Sequence, residues 1–148
     1  MPKKHKLLLA AVSSSGRINF APPLGLLYLA AYLRERFSLE IKVIDQYLEE
    51  ITPEQLVKQI VGFAPDVVGL GYTTMGAHLA PGLTKALRTA LPDVLIAIGG
   101  AHITAVREEA LADSSADVGI PGEGELMFEQ VLQAYFEGES MEQIPGLI

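Results

Sequence analysis

The chain of 148 residues contains no cysteine and no tryptophan. Without cysteine there are no disulfides, thiolate nucleophiles, iron–sulfur clusters or thiolate zinc sites. Basic residues are also scarce: 11 Lys and Arg against 18 Asp and Glu leave a formal charge of −7, which on average repels nucleic acid. Lys3, Lys4 and Lys6 read as a solvated terminus rather than a binding arm. No pair among the three histidines has metal-ligand spacing on one helix. Long hydrophobic runs are missing too. The longest, Phe20 to Leu33, is interrupted by Pro22, Pro23 and Gly25 and falls short of the roughly 20 residues of a bilayer span. The start lacks the layout of a secretory signal, so a cytoplasmic protein without a membrane segment is the expectation.

What is present is apolar: 49% of the residues are hydrophobic, enough for one domain with a core on both faces of a central sheet. Short β-rich runs alternate with segments of helical period, the pattern of a parallel sheet covered by helices. The first strand is Lys6 to Val12, followed by a helix from the Pro22-Pro23 pair to the charged residues 34–36. Glu40 to Asp45 is the second strand. Thr52 to Gln55 has capping-box spacing, with proline in the first helical position, and opens a helix carrying Leu56, Ile60 and Val61 inward. Asp66 to Tyr72 forms the third strand. Leu79, Leu83, Ala86 and Leu87 mark the next helix, Asp93 to Gly100 the fourth strand and Thr104 to Ala112 the fourth helix. A short strand ahead of a glycine turn leads to a last helix with Leu126, Val131, Leu132 and Tyr135. The tail from Glu139 to Ile148 has no strong pattern.

In open parallel sheets ligands bind beyond the carboxyl ends of the strands, which selects five loops before any motif is recognised. "GYTTMG", "IGGAH" and "PGEGE" place small or hydroxyl residues where backbone must approach a ligand closely. Together with "SSSGRIN" after the first strand they read as a shared cleft. A dinucleotide fold would need glycines directly after the first strand, and only Gly16 is near. No Walker loop occurs. A phosphoacceptor aspartate is missing from the end of the third strand, where Gly71, Tyr72 and Thr73 stand. Binding of a flavin by the serine-rich loop remains open.

Single residues carry less. His5 reads as solvated and His78 as a helix-start residue, while His102 follows Gly99-Gly100-Ala101 on the ligand edge. Glu123 and Glu125 suit the first turn of a helix. Asp45 ends the second strand, where dinucleotide folds hold a ribose. No nucleophile, base and orienting group come together, so the chain does not read as a complete catalyst.

The fragments "PPLGLLYLAAYLRE", "IKVID", "PDVVGLGYTT", "IGGAHIT", "ADVGIPGEGE" and "IPGLI" resemble, in that order, the N-terminal cobalamin-binding domain of cobalamin-dependent radical S-adenosylmethionine enzymes. The resemblance implies an α/β, flavodoxin-like (Rossmann-like) three-layer sandwich with a five-stranded parallel sheet in the order 2-1-3-4-5. It implies a corrin ring over the carboxyl ends of the strands, with the nucleotide tail entering the sheet region. Pro22, Pro23 and Leu24 would then give apolar contact, and Ser13, Ser14, Ser15, Arg17 and Asn19 would hydrogen-bond the corrin amides. Thr73, Thr74, Gly99 and Gly100 would receive the tail, with Met75, His102, Gly122 and Glu123 on the same loops. The DxHxxG motif, whose histidine ligates cobalt in methionine-synthase-like domains, is missing from the first loop, and "DQYLEE" at Asp45 to Glu50 is only a superficial echo. Base-off cobalamin without a histidine ligand follows as the expectation. The cysteine triad of the radical chemistry is absent, so the resemblance places the iron–sulfur cluster and S-adenosylmethionine in a further domain. Residues 1–140 would be the cobalamin domain, part of a radical methyltransferase, and 141–148 the start of a linker. The alternatives are a small flavodoxin-like enzyme or carrier using a flavin or nucleotide, and a domain that has kept the fold without the ligand.

Overall fold

The computed structural model describes residues 3–13 and 21–148. Five parallel strands, β1 (His5–Ala11), β2 (Leu39–Asp45), β3 (Val67–Gly71), β4 (Leu95–Gly99) and β5 (Val118–Ile120), pair in the order β2-β1-β3-β4-β5. The sheet is therefore the flavodoxin-like one that the resemblance implied, with the order reversing between β1 and β3. On one face lie α1 (Leu24–Arg34) and α6 (Gly124–Glu137); on the other lie α2 (Pro53–Phe63), α3 (Ala80–Ala90), α4 (Ala101–Val106) and α5 (Glu108–Ala112). Among the described residues no helix is long and apolar enough to cross a membrane.

Because strand side chains alternate, each strand feeds both cores. Leu8, Ala10, Val68, Leu70, Ile96 and Ile98 pack toward α2, α3 and α4. Leu7, Leu9, Val67, Leu95 and Ala97 face the other way, against Leu33 of α1 and Phe128, Val131 and Leu132 of α6. The register sets the second group in rows across the sheet: Leu9 opposite Gly69, Gly69 opposite Ala97, then Ala11 opposite Gly71 and Gly71 opposite Gly99.

Local signals act as the sequence suggests at α2. Thr52 Oγ1 accepts from the Gln55 amide at 3.2 Å and Gln55 Oε1 accepts from the Thr52 amide at 2.8 Å, with Pro53 in the first turn. Elsewhere the structure differs. The fourth helix starts at Ala101 rather than Thr104 and breaks at Arg107, whose φ of 50° ends α4 before α5 begins. Leu126 is 65% exposed; Phe128 takes the core position beside Val131 and Leu132. His5 is not simply solvated, since its ring stacks on Phe136 at 3.9 Å. Lys6 is tied down as well, its Nζ donating to the Phe63 carbonyl at 3.2 Å.

The patternless tail is also docked. Gly119 N donates to the Ile148 carbonyl at 2.8 Å and Ile148 N donates to the Gly119 carbonyl at 3.0 Å, the reciprocal exchange of an antiparallel pair. Ile144 and Leu147 pack against the α1/α6 core and Ile148 against the other.

Candidate functional site

Beyond the carboxyl ends of β1, β3 and β4 a cavity of about 510 Å³ opens between the sheet and the helices α1 and α6, within the usual range of small-molecule sites. Its position follows from side-chain size. In the two rows nearest the strand ends, the face toward α1 and α6 offers Leu9, Gly69 and Ala97, then Ala11, Gly71 and Gly99. The same strands fill the opposite face with Leu8, Val68, Leu70, Ile96 and Ile98. A Cβ at Gly69 would lie 2.7 Å from Leu9 Cδ2, and one at Gly71 would lie 3.3 Å from Leu26 Cδ2. Without those carbons the leucines lie down on the sheet and a hollow is left above them. One row is about 6.6 Å of strand, so the hollow runs that far inward before Leu7, Val67 and Leu95 close it with fully buried or nearly buried side chains.

The walls are apolar: Leu26 and Leu29 come from α1, Phe128 from α6 and Ile120 from β5. Polar side chains stand at the mouth, namely Ser13, Thr73 and Glu125. Leu24 and Met75 are 58% and 64% exposed there, so the rim itself is apolar in part. Near the end of α1, Tyr32 donates a short hydrogen bond to Glu129 of α6. Arg36 Nε sits 3.2 Å from the same carboxylate and its guanidinium lies 3.5 Å from the Tyr32 ring centroid. That hydrogen bond to Glu129, with some desolvation, raises the Tyr32 pKa. These contacts fasten α1 to α6.

The loops are held by a small set of bonds. Gly100 precedes α4 with φ of 108°, and a Cβ there would come within 2.6 Å of the Tyr72 carbonyl, so both conformation and space require glycine. Thr104 Oγ1 donates to the Gly100 carbonyl at 3.0 Å and accepts from the Gly122 amide at 2.9 Å, joining the loops after β4 and β5. The Ser13 amide donates to Oε1 of buried Gln46 at 3.3 Å, which anchors the first loop on the second. Asp45 Oδ1 accepts from the amides of Tyr47 and Leu48 at 3.1 and 3.2 Å. It closes a turn, and it does not line the cavity.

Of the residues expected at the site, Ser13, Pro22, Pro23 and Leu24 line this cavity, as do Thr73, Met75, Gly99, Gly100 and Gly122. Ser14, Ser15, Arg17 and Asn19 lie outside the described residues. Thr74, His102 and Glu123 are not among the lining residues. His102 Nδ1 stands 3.2 Å from Thr74 Oγ1, and its ring borders a second hollow of about 250 Å³ beside Tyr72 and His78. Burial pushes the Tyr72 phenol up to about 12. Glu125, two residues beyond Glu123 and inside α6, is the carboxylate at the cavity.

A sheet hollowed on one face at its switch point, with glycine loops over the opening, defines a flavodoxin-like ligand-binding domain. The particular family is that of the B12-binding domain, whose model matches residues 17–132, and the chain belongs to it. It is 32% identical over 148 residues to the uncharacterized methyltransferase PH0819 of Pyrococcus horikoshii, covering 99% of this chain and 31% of the relative. It is 31% identical over 126 residues to cytidylyl-2-hydroxyethylphosphonate methyltransferase of Streptomyces wedmorensis, covering 72% of this chain and 23% of that one. The fold matches that of the radical S-adenosylmethionine methyltransferase TsrM from Kitasatospora setae, solved with cobalamin and a [4Fe-4S] cluster bound. The TM-score is 0.84 at 18% identity, over 99% of this chain and 29% of that chain. The chain spans less than a third of the length of these proteins.

Proposed function

We propose that this chain carries cobalamin, base-off and without a histidine on the cobalt, as the cofactor-holding part of a radical S-adenosylmethionine methyltransferase. The observation that carries the reading is the hollow face of the sheet: Gly69, Gly71 and Gly99 with Ala11 and Ala97 leave a cradle that ordinary strand residues would fill. Bound cobalamin would supply a cobalt centre able to accept and pass on a methyl group. The residues of the chain do the rest by binding and orienting. Pro22, Pro23, Leu24 and Met75 give the corrin face apolar contact, and Ser13, Ser14, Ser15, Arg17 and Asn19 hydrogen-bond its rim amides. Thr73, Thr74, Gly99 and Gly100 receive the nucleotide tail, with His102, Gly122 and Glu123 on the flanking loops; Glu125 joins them as an acceptor for amide or hydroxyl donors.

Among the described residues no histidine lines the cavity, and His102 sits by the second hollow, both of which support an open lower face of the cobalt. Residues 1–140 form the cobalamin domain in this reading. Residues 141–148 lead from it toward a radical domain, which would bring the cysteines, the cluster and S-adenosylmethionine, in a cytoplasmic enzyme. The deciding experiment is anaerobic titration with hydroxocobalamin and cob(II)alamin, followed by gel filtration, visible absorption and electron paramagnetic resonance. Retention with a base-off spectrum lacking nitrogen superhyperfine splitting is expected. Splitting from a protein nitrogen overturns the histidine-free ligation, and loss of cobalamin from a folded chain overturns the reading itself.

A further inference from the structure

The helices of this fold differ in what they turn outward. α2 exposes Glu54, Gln55 and Lys58, the ordinary polar face of a surface helix. α1 exposes Leu24, Leu27, Tyr28 and Ala31, and charge appears only at its end, in Arg34 and Glu35. Its inner face is apolar as well, through Leu26, Leu29, Ala30 and Leu33. A helix that is apolar all round belongs in an interior, yet Tyr28 is 68% exposed. Single apolar side chains on a surface need no explanation. These four stand at i, i+3, i+4 and i+7 and make one continuous stripe. Leu24 borders the cavity mouth, whereas Leu27, Tyr28 and Ala31 do not line the cavity.

The stripe is complementary to a second copy of itself. Ala31, the smallest of the four, lets two helices cross closely. When two α1 helices run antiparallel about a two-fold axis at Ala31, Tyr28 of each faces Arg34 of the other, and Leu27 faces the methylenes of Glu35. Arg34 is exposed in the last turn, and its side chain has no ion-pair or hydrogen-bond partner among the described residues. A tyrosine ring beneath the guanidinium supplies one. The chain already uses that contact nearby, with Arg36 lying 3.5 Å from the Tyr32 ring centroid. We propose that this chain self-associates through the outer face of α1, as an antiparallel helix pair with Ala31 on the two-fold axis. The inference rests on α1 alone and is independent of what fills the cavity. One helix pair buries less than about 1,200 Å², so the dimer belongs to the weak class and forms at micromolar concentrations or above.

Sedimentation velocity of the 148-residue chain, from micromolar to near-millimolar concentration, should show monomer passing to dimer. Tyr28→Glu should weaken the association by at least about tenfold, with circular dichroism reporting that the variant is folded. The absence of cysteine makes the geometry testable by cross-linking. Ala31→Cys puts one thiol on the axis, and mild oxidation should join two copies, because the symmetry brings residue 31 next to itself. Mixing Tyr28→Cys with Arg34→Cys should join unlike chains faster than like ones. Lys58→Cys, on the outer face of α2 across the sheet, sets the collisional background. If Tyr28→Glu is not folded, the cysteine series decides alone. A chain that stays monomeric throughout overturns the proposal and leaves the stripe to another occupant, such as the rest of a longer parent enzyme. A dimer that Tyr28→Glu does not weaken, or that Ala31→Cys joins no faster than Lys58→Cys, overturns α1 as its seat. Joining at Ala31 without a preference between residues 28 and 34 overturns the antiparallel pairing.

Discussion

Leu8 and Leu9 are neighbours in one strand, both fully buried, yet they serve different ends. Leu8 points into a core closed by α2 and α3, where the strands contribute large aliphatic residues in every row. Leu9 points to the side where the neighbouring positions on β3 and β4 are Gly69 and Ala97, and it borders open space. The difference teaches that strand chemistry is set face by face. Backbone pairing, twist and register are shared, so a change of side-chain size at alternate positions turns one side of the same sheet from a core into a receptacle.

The largest expected effect comes from shortening those two leucines. Leu8→Ala should cost about 2–5 kcal/mol in urea unfolding, because a sealed cavity adds to the lost burial. Leu9→Ala should cost roughly half as much, since it only widens a hollow already open to solvent; equal losses would break the comparison. Lengthening the adjacent alanines comes next. Ala10→Leu should overpack the filled face and destabilise by about 1–3 kcal/mol, whereas Ala11→Leu should leave the urea midpoint almost unchanged and abolish cobalamin retention on gel filtration.

Tyr72 continues the filled face past the end of β3, and its buried phenol ionises only at about 12 when folded, against about 10 when unfolded. Below the unfolded value both states hold the proton and stability is unaffected. Between about 10 and 12 the unfolded chain releases it first, so stability should fall by roughly 1–2 kcal/mol across that window, allowing for partial solvation. Tyr72→Phe should remove this part of the alkaline loss, read from urea midpoints at each end of the window. The smallest effect lies at the seam between the faces. Thr104→Val strips the shared hydroxyl from Gly100 and Gly122 and should cost about 0.5–1.5 kcal/mol, with cobalamin bound a few-fold more weakly by absorption titration.

Much of this was legible in the residues. Continuous apolar runs gave the strands, since a sheet covered on both faces needs no polar alternation, and the Thr52–Gln55 box marked α2. The loops at Thr73, Gly99 and Gly122 were found because glycine and hydroxyl residues cluster after strands. The hollow has a signal in the sequence that motif reading passes over: Gly69 and Gly71, like Ala97 and Gly99, repeat at a spacing of two, which puts small residues on one face. Leu26, Leu29 and Phe128 could not be assigned to its walls, because that depends on how α1 and α6 cross the sheet. Glu123 and Glu125 are alike in the sequence, since both stand at a helix start, and only the placement of that helix brings Glu125 to the cavity. The break at Arg107 left no glycine or proline to mark it, and the tail looked patternless because its pairing partner, Gly119, is far away in sequence.

That tail bears on how the protein behaves at high concentration. A sheet ends in strands with unpaired backbone groups, and such margins recruit other chains into aggregates. At one margin β2 carries Glu40 and Lys42, charges that discourage a flat neighbour. At the other, β5 is only three residues long, and Ile148 occupies the backbone groups of its central glycine. Stripping away residues 141–148 would therefore uncover Gly119 and a short length of pairing-competent strand, turning a sealed border into a seed for self-association.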